Sequence, residues 1–123
     1  MIPEKLLEIL KQDGMAAIAT LGPDGPHMVN TWNSYVRVSG EDKLLIPVGG
    51  MQETESNLKR SNRVKLTIGS REIAGLRYKG TGFLLSGTAR MVTGGAEVEE
   101  MKRTYPWLRA LLEITVESCQ QTL

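Results

Sequence analysis

Met15-Ala16-Ala17-Ile18-Ala19-Thr20-Leu21, Gly22-Pro23-Asp24-Gly25 and Pro26-His27-Met28-Val29-Asn30-Thr31-Trp32 read as strand, turn and strand. The first segment is continuously apolar, which suits a buried strand. Gly-Pro-Asp-Gly is a strong turn signal. His27 to Trp32 alternates loosely, and Ser34 to Val38 follows closely. Ser39-Gly40-Glu41-Asp42 is another hairpin turn, and Lys43 to Val48 is a strand ended by Gly49-Gly50. Arg63 to Ile68 places Val64, Leu66 and Ile68 on one face. Ser70 to Thr81 reads as a long, partly basic loop. Gly82 to Val92 is a long strand bent at Gly87, since glycine in a strand marks a bulge or bend. Leu108 to Val116 is a strand or a helix–strand mixture, because Ala110-Leu111-Leu112 suits either.

Short helices punctuate these strands. Pro3 suits a helix first turn and Gly14 a stop, so the apolar stripe of Leu6, Leu7, Ile9 and Leu10 predicts a helix over 3–12. Residues 51–60 form a second, with Glu55 and Lys59 four apart. Residues 96–103 form a third, broken by Pro106. About seven short strands with two or three small helices suggest an antiparallel barrel or sandwich, in which closure removes exposed edges. Strands do not alternate with long helices, so a doubly wound parallel sheet is disfavoured.

The 123 residues are one domain's worth of chain, 1–123, with room for one core. A 41% hydrophobic and 24% charged composition excludes disorder. No apolar run approaches the ~20 residues of a membrane span. The first residues turn acidic and amphipathic at once, unlike a signal peptide. Net charge of +1 gives no bulk attraction to nucleic acid or lipid. One cysteine, Cys119, precludes an intramolecular disulfide, and with one histidine, His27, a Cys/His zinc site lacks ligands. No G-x-S-x-G elbow accompanies them. A reducing, cytoplasmic location is expected. The six aromatics are Trp32, Tyr35, Tyr78, Phe83, Tyr105 and Trp107, so the core must rest on aliphatic side chains.

Three segments can carry chemistry. Val48-Gly49-Gly50-Met51-Gln52-Glu53-Thr54 runs from a strand through two glycines into a helix. Backbone N–H groups at such a start can cradle a phosphate; a plain strand-to-helix turn has the same pattern. Asn30-Thr31-Trp32-Asn33-Ser34-Tyr35 crowds hydrogen-bonding side chains with two flat walls. It reads equally as a polar turn with Trp32 in the core. Tyr105-Pro106-Trp107 is a helix stop with an indole beside it. Lys59, Arg60, Arg63 and Lys65 cluster as a solvated face or as donors to a phosphate. Gly80-Thr-Gly82 lacks the third glycine of a dinucleotide fingerprint. Polar edges, flat walls and a phosphate site suit a planar, phosphate-bearing cofactor. Flavin mononucleotide (FMN), pyridoxal phosphate and haem all remain open on composition alone; haem would have only His27 and the methionines as axial ligands.

Gly25 to Tyr35, Pro47-Val48-Gly49-Gly50-Met51, Thr54-Glu55, Gly80 to Leu84 and Gln121-Thr122-Leu123 resemble the small FMN-binding proteins of sulfate-reducing bacteria nearly end to end. Those belong to the split β-barrel superfamily of pyridoxamine-phosphate oxidases and flavin reductases. The resemblance implies a mainly β fold: a six-stranded antiparallel Greek-key split barrel with two or three short helices. It implies a homodimer with one non-covalent FMN per subunit near the interface. By position, Asn30, Thr31 and Trp32 would line the flavin and its ribityl phosphate. Val48, Gly49, Gly50 and Thr54 would meet the phosphate or ring edge. Tyr35 and Trp107 would lie beside the isoalloxazine, and Leu123 would reach over from the partner subunit. Asp13 matches an acidic position near the flavin.

One departure stands out: Glu53 replaces a lysine of the family. A like-charge contact at ~4 Å and an effective dielectric near 20 is worth about 4 kcal/mol before desolvation. The expectation is that Glu53 points away, with backbone N–H groups, Thr54 and Arg63 holding the phosphate. The leading functional expectation is an electron carrier with an unknown redox partner protein. The alternatives are an NAD(P)H-dependent flavin reductase or pyridoxamine-phosphate-type oxidase, and a cofactor-free barrel binding nucleic acid or protein. Balanced charge disfavours the last.

Overall fold

The structure is a computed structural model that describes residues 2–123. Helix α1 (Glu4–Leu10) leads into β1 (Met15–Gly22) and β2 (Gly25–Trp32). A 3-10 turn (Asn33–Tyr35) precedes β3 (Arg37–Ser39), β4 (Lys43–Val48) and helix α2 (Gln52–Arg60). Strands β5 (Arg63–Ala74) and β6 (Lys79–Val92), helix α3 (Ala96–Thr104) and β7 (Ala110–Gln121) complete the chain. All strand pairs are antiparallel, in the order β2-β1-β5-β6-β7-β4-β3. The fold is therefore mainly β with three helices, as expected. Seven strands form one sheet whose ends, β2 and β3, are not hydrogen-bonded to each other. β3 is only three residues long.

Alternation explains the core. Ala16, Ile18 and Thr20 of β1 are buried, as are Val64, Leu66 and Ile68 of β5. Phe83 and Leu85 of β6 and Ile114 and Val116 of β7 join them, with Leu6 and Ile9 of α1. Phe83 is the one aromatic among the buried residues of this cluster, so the core is aliphatic as the composition requires. A second cluster packs Leu45 and Leu111 against Val98 and Met101 of α3. Burial on both faces made Ala110-Leu111-Leu112 ambiguous as sequence: Ala110 and Leu112 face the main core, while Leu111 faces α3. The segment is strand, paired with both β4 and β6.

Two expectations change. The long loop over Ser70–Thr81 is mostly hairpin: β5 continues to Ala74, pairs with Lys79, and turns through residues 75–78. The Gly75 N–H donates to the Tyr78 carbonyl at 2.8 Å. This arm projects with most of its residues exposed, so it lacks the buried alternation by which strands are read. The strand expected over Ser34–Val38 begins instead as the 3-10 turn, closed by the Val36 N–H on the Asn33 carbonyl at 3.1 Å.

The bend at Gly87 is a bulge. Ser86 pairs with Ser118, but Gly87 pairs with Val116, which leaves Glu117 without a cross-strand partner on β6. A Cβ on Gly87 would run into the Thr115 carbonyl. Glu117 turns outward and holds Arg63 at 2.8 Å. That contact keeps its carboxyl below the usual carboxylate range. Two residues on, Cys119 is partly buried, and burial pushes its thiol above the usual range.

Gly87→Ala is expected to cost about 1–3 kcal/mol, because the opposing group is backbone and cannot rotate aside. A urea titration checks this, and an unchanged midpoint contradicts it. Because the thiolate is the reactive form, Cys119 should react with a disulfide reagent at pH 8 many-fold more slowly in the folded than in the urea-unfolded chain. Equal rates would show the thiol to be freely ionised.

Candidate functional site

Strand β4 ends at Val48, which is fully buried, and the chain emerges through Gly49 and Gly50, both exposed. Met51 takes up a left-handed conformation (φ 56, ψ 39) and caps α2 without a side-chain hydrogen bond. It is the only non-glycine residue with positive φ among the described residues. Such a conformation in a non-glycine residue is held by its surroundings; here Met51 packs against the main core. The N–H groups of a helix's first turn have no partners within the helix. Beside them Thr54 is fully buried, and its hydroxyl has no hydrogen-bond partner among the described residues.

Trp107 walls this turn. Its ring lies so close to Gly49 that a Cβ there would stand 3.1 Å from an indole carbon, so glycine permits the approach. Trp107, Tyr105 and Tyr35 form a triangle with ring centroids 5.0–5.6 Å apart and tilted planes. Tilted aromatic packing is favourable beyond the area it buries. The Tyr105 hydroxyl donates to the Ser34 carbonyl at 3.3 Å. Trp107 remains 48% exposed, so one part of it is free for a ligand.

Arg109 braces the turn. Its backbone N–H donates to the Val48 carbonyl at 2.8 Å and its guanidinium to the Gly50 carbonyl at 3.0 Å. The same guanidinium pairs with Glu55 of α2 at 3.0 Å. The other first-turn carboxylate, Glu53, accepts a hydrogen bond from His27 Nδ1 of β2 at 2.9 Å. One turn on, the Asn57 amide donates to the Thr20 hydroxyl at 3.1 Å and its oxygen accepts from Arg60 at 2.9 Å. Glu53, Asn57 and Arg60 thus form the helix face that addresses β1 and β2.

Val48, Gly49, Gly50, Thr54, Tyr35 and Trp107 are therefore brought to one strand-to-helix turn and its aromatic wall. Asn30 and Trp32 are exposed on the outer face of β2, while strand alternation turns Thr31 inward, 5% exposed. Leu123 lies elsewhere in the chain. Its carbonyl accepts from Thr81 at 2.8 Å and Gln121 at 3.0 Å. It borders a cavity of about 670 Å³ lined also by Ser70, Arg71, Tyr78 and Lys79, which none of the other candidate residues reaches.

Arg63 is engaged by Glu117, and the Lys59–Arg63 cluster sits at the C-terminal end of α2. Nine residues at 1.5 Å rise put that end about 13 Å from the helix start, too far for groups at both ends to contact one phosphate-sized ion. Sequence reasoning missed Arg109 and the pairing of His27. Nothing in the spacing of a single arginine or histidine announces which distant carboxylate it will meet.

The model of the pyridoxamine 5'-phosphate oxidase family matches residues 2–123. The chain is 51% identical to the FMN-binding protein of Nitratidesulfovibrio vulgaris (strain Miyazaki F) over 123 residues, the whole of both chains. The fold is also that of Group A Streptococcus HupZ (TM-score 0.78, 20% identity, 97% of this chain and 92% of that one). An FMN-binding protein from Syntrophomonas wolfei shares it as well (TM-score 0.75, 14% identity, 98% and 85%). With nearly every residue matched, the chain belongs to the pyridoxamine 5'-phosphate oxidase family.

Proposed function

We propose that this protein binds FMN non-covalently and serves as an electron carrier, working as a homodimer. The observation that carries the reading is the buried, unpartnered Thr54 hydroxyl at a helix start preceded by two exposed glycines. A phosphate there would receive N–H donors, the positive end of the α2 dipole and the Thr54 hydroxyl. Nothing stands within 4 Å of a Cβ built on Gly50, so the approach is open. Trp107, steadied by Tyr35 and Tyr105, offers the flat wall that a tricyclic ring needs. The residues present therefore fit the group, and the full-length relative named an FMN-binding protein supports the same assignment.

FMN, when bound, takes up and releases electrons one or two at a time. Within this chain, Gly49 and Gly50 admit the ligand's phosphate end, and Arg109 holds their turn rigid. Trp32 and Trp107 exclude water, and Asn30 hydrogen-bonds a polar ring edge. Thr31, turned inward, would contribute through its backbone. Asp13 and the polar groups nearby set the potential by their charge and dipoles.

The homodimer reading is supported by the outer face of the β1–β2 hairpin. Cross-strand pairs Met15–Trp32, Ala17–Asn30, Ala19–Met28 and Leu21–Pro26 share that face. Met15, Leu21, Met28 and Trp32 are 51–65% exposed there. A contiguous apolar strip of this kind marks an interaction surface. Covered by a second copy, it would bring a partner's Leu123 within reach of the ring. The finer fold reading follows: the six long strands form the Greek-key split barrel, with β3 an extension. No helix of the described residues is long and apolar enough to cross a membrane; a cytoplasmic site of action is part of the proposal. The family match supports a second reading, an NAD(P)H-dependent flavin reductase or pyridoxamine-phosphate-type oxidase.

The purified protein should be yellow and release FMN on denaturation, identified by mass. A colourless protein that fails to take up added FMN would sink the proposal. Trp107→Ala should weaken FMN about tenfold, an aromatic stack being worth roughly 1–1.5 kcal/mol; fluorescence titration reads this. Met28→Glu should convert the dimer to monomer in sedimentation, whereas a wild-type monomer contradicts the assembly. Slow bleaching by NADH is expected of a carrier, and rapid stopped-flow bleaching would favour the reductase.

A further inference from the structure

The positive end of a helix attracts any anion, including those of its own first turn. Helix α2 carries two there, Glu53 and Glu55. In the absence of restraint, each would compete with a phosphate for the first-turn N–H groups and repel it. In this structure neither is free. Arg109 holds Glu55 at 3.0 Å, and His27 holds Glu53 at 2.9 Å. The two clamps come from different elements, the segment before β7 and strand β2. The remaining cations of α2, Lys59 and Arg60, lie in its last turn.

The His27 clamp is the more informative one. Arg109 also supports the Gly50 carbonyl, so its loss would disturb the turn itself. The His27 side chain is 25% exposed and the Glu53 side chain 68% exposed. Glu53 is thus a solvent-exposed residue whose carboxylate is located by one hydrogen bond to the protein. His27 reaches it from the same strand that carries Asn30 and Trp32. The strand and the helix that flank the site are joined at this contact.

We propose that His27 is a positioning residue for anion binding: it draws the Glu53 carboxylate onto β2 and so clears the α2 N-terminus for a phosphate. This rests on the FMN reading above and adds to it the means by which the chain tolerates a carboxylate beside the phosphate. His27 touches neither the phosphate nor the ring. It acts through Glu53 alone, so its removal should matter only while position 53 is charged and only for a ligand that bears a phosphate.

FMN and riboflavin, which differ by the phosphate, separate these effects. Both are titrated by flavin fluorescence into the wild-type apoprotein, His27→Ala, and His27→Ala combined with Glu53→Gln. His27→Ala is expected to weaken FMN about tenfold, the order of one partly screened charge contact. Riboflavin affinity should stay within about twofold of the wild type, because no phosphate is involved. The double variant should recover FMN affinity to within about threefold, the repelling charge being gone. His27→Asn is the rescue control: its amide places an N–H at the position of Nδ1, and FMN affinity should be retained relative to riboflavin. Should His27→Ala fail to fold, His27→Phe, which keeps the ring's bulk without the N–H, takes its place with the same expected losses. Equal losses for FMN and riboflavin, no loss for FMN, or no recovery with Glu53→Gln would each overturn the role of His27. A wild-type protein that binds neither flavin would overturn the FMN reading and this inference with it.

Discussion

Asn33 is wholly buried at the point where three parts of the chain meet. Its amide donates to the Gly69 carbonyl at 2.9 Å, and its backbone N–H to the Gly14 carbonyl at 2.9 Å. One residue therefore ties the end of β2 to the start of β1 through its backbone and to the middle of β5 through its side chain. A Cβ on Gly14 would stand 2.7 Å from the Asn33 amide nitrogen, so the junction also requires glycine at 14. Everything asked of Trp32 and Tyr35 depends on this knot. It stops β2 one residue after Thr31 and folds the chain into the turn that delivers Tyr35 to Trp107. The Asn33 side-chain oxygen has no hydrogen-bond partner among the described residues. Burying an unpaired acceptor is costly, and the neighbouring contacts outweigh that cost.

The strands that bury one face were legible because alternation is a direct physical signature. Val64, Leu66 and Ile68 could be placed on one side of β5 from their spacing, and they line the core. The bend at Gly87 was legible for the same reason, since a glycine in a long strand rarely lacks a steric cause. Ser70–Thr81 was not, because a hairpin arm in solvent has no burial to write a pattern. Nor was the start of β7, where burial on both faces removes the alternation. The glycine turn and its helix were readable as a unit. The aromatic triangle was only half readable: Tyr105 and Trp107 are neighbours in sequence, but Tyr35 joins them through the fold.

The electrostatics were least legible. The basic cluster around Arg63 was conspicuous in sequence, yet it lies at the C-terminal end of α2, and its Arg63 is paired with Glu117. The partners of the helix-start carboxylates are single residues, His27 and Arg109, each drawn from a distant segment. Charge pattern along a chain reports local neighbours, whereas a site at the meeting of a strand, a loop and a helix is organised by residues dozens of positions apart. Composition was correct about the whole and silent about the part: a nearly neutral chain still places two carboxylates in the first turn of α2, and gives each its own partner.

The bulge at Glu117 has an effect beyond the bend it produces. Up to Val116 the even-numbered residues of β7 face inward; beyond it the odd-numbered Cys119 and Gln121 are the less exposed ones. The extra residue reverses the phase of the strand for its last few positions. It sets which side of the sheet receives the final residues, and hence where Leu123 emerges. The direction of the chain's last side chain is thus counted out from a single glycine on the neighbouring strand. In a lineage that gained or lost one residue there, the tail would be handed to the opposite face with no change in its own sequence.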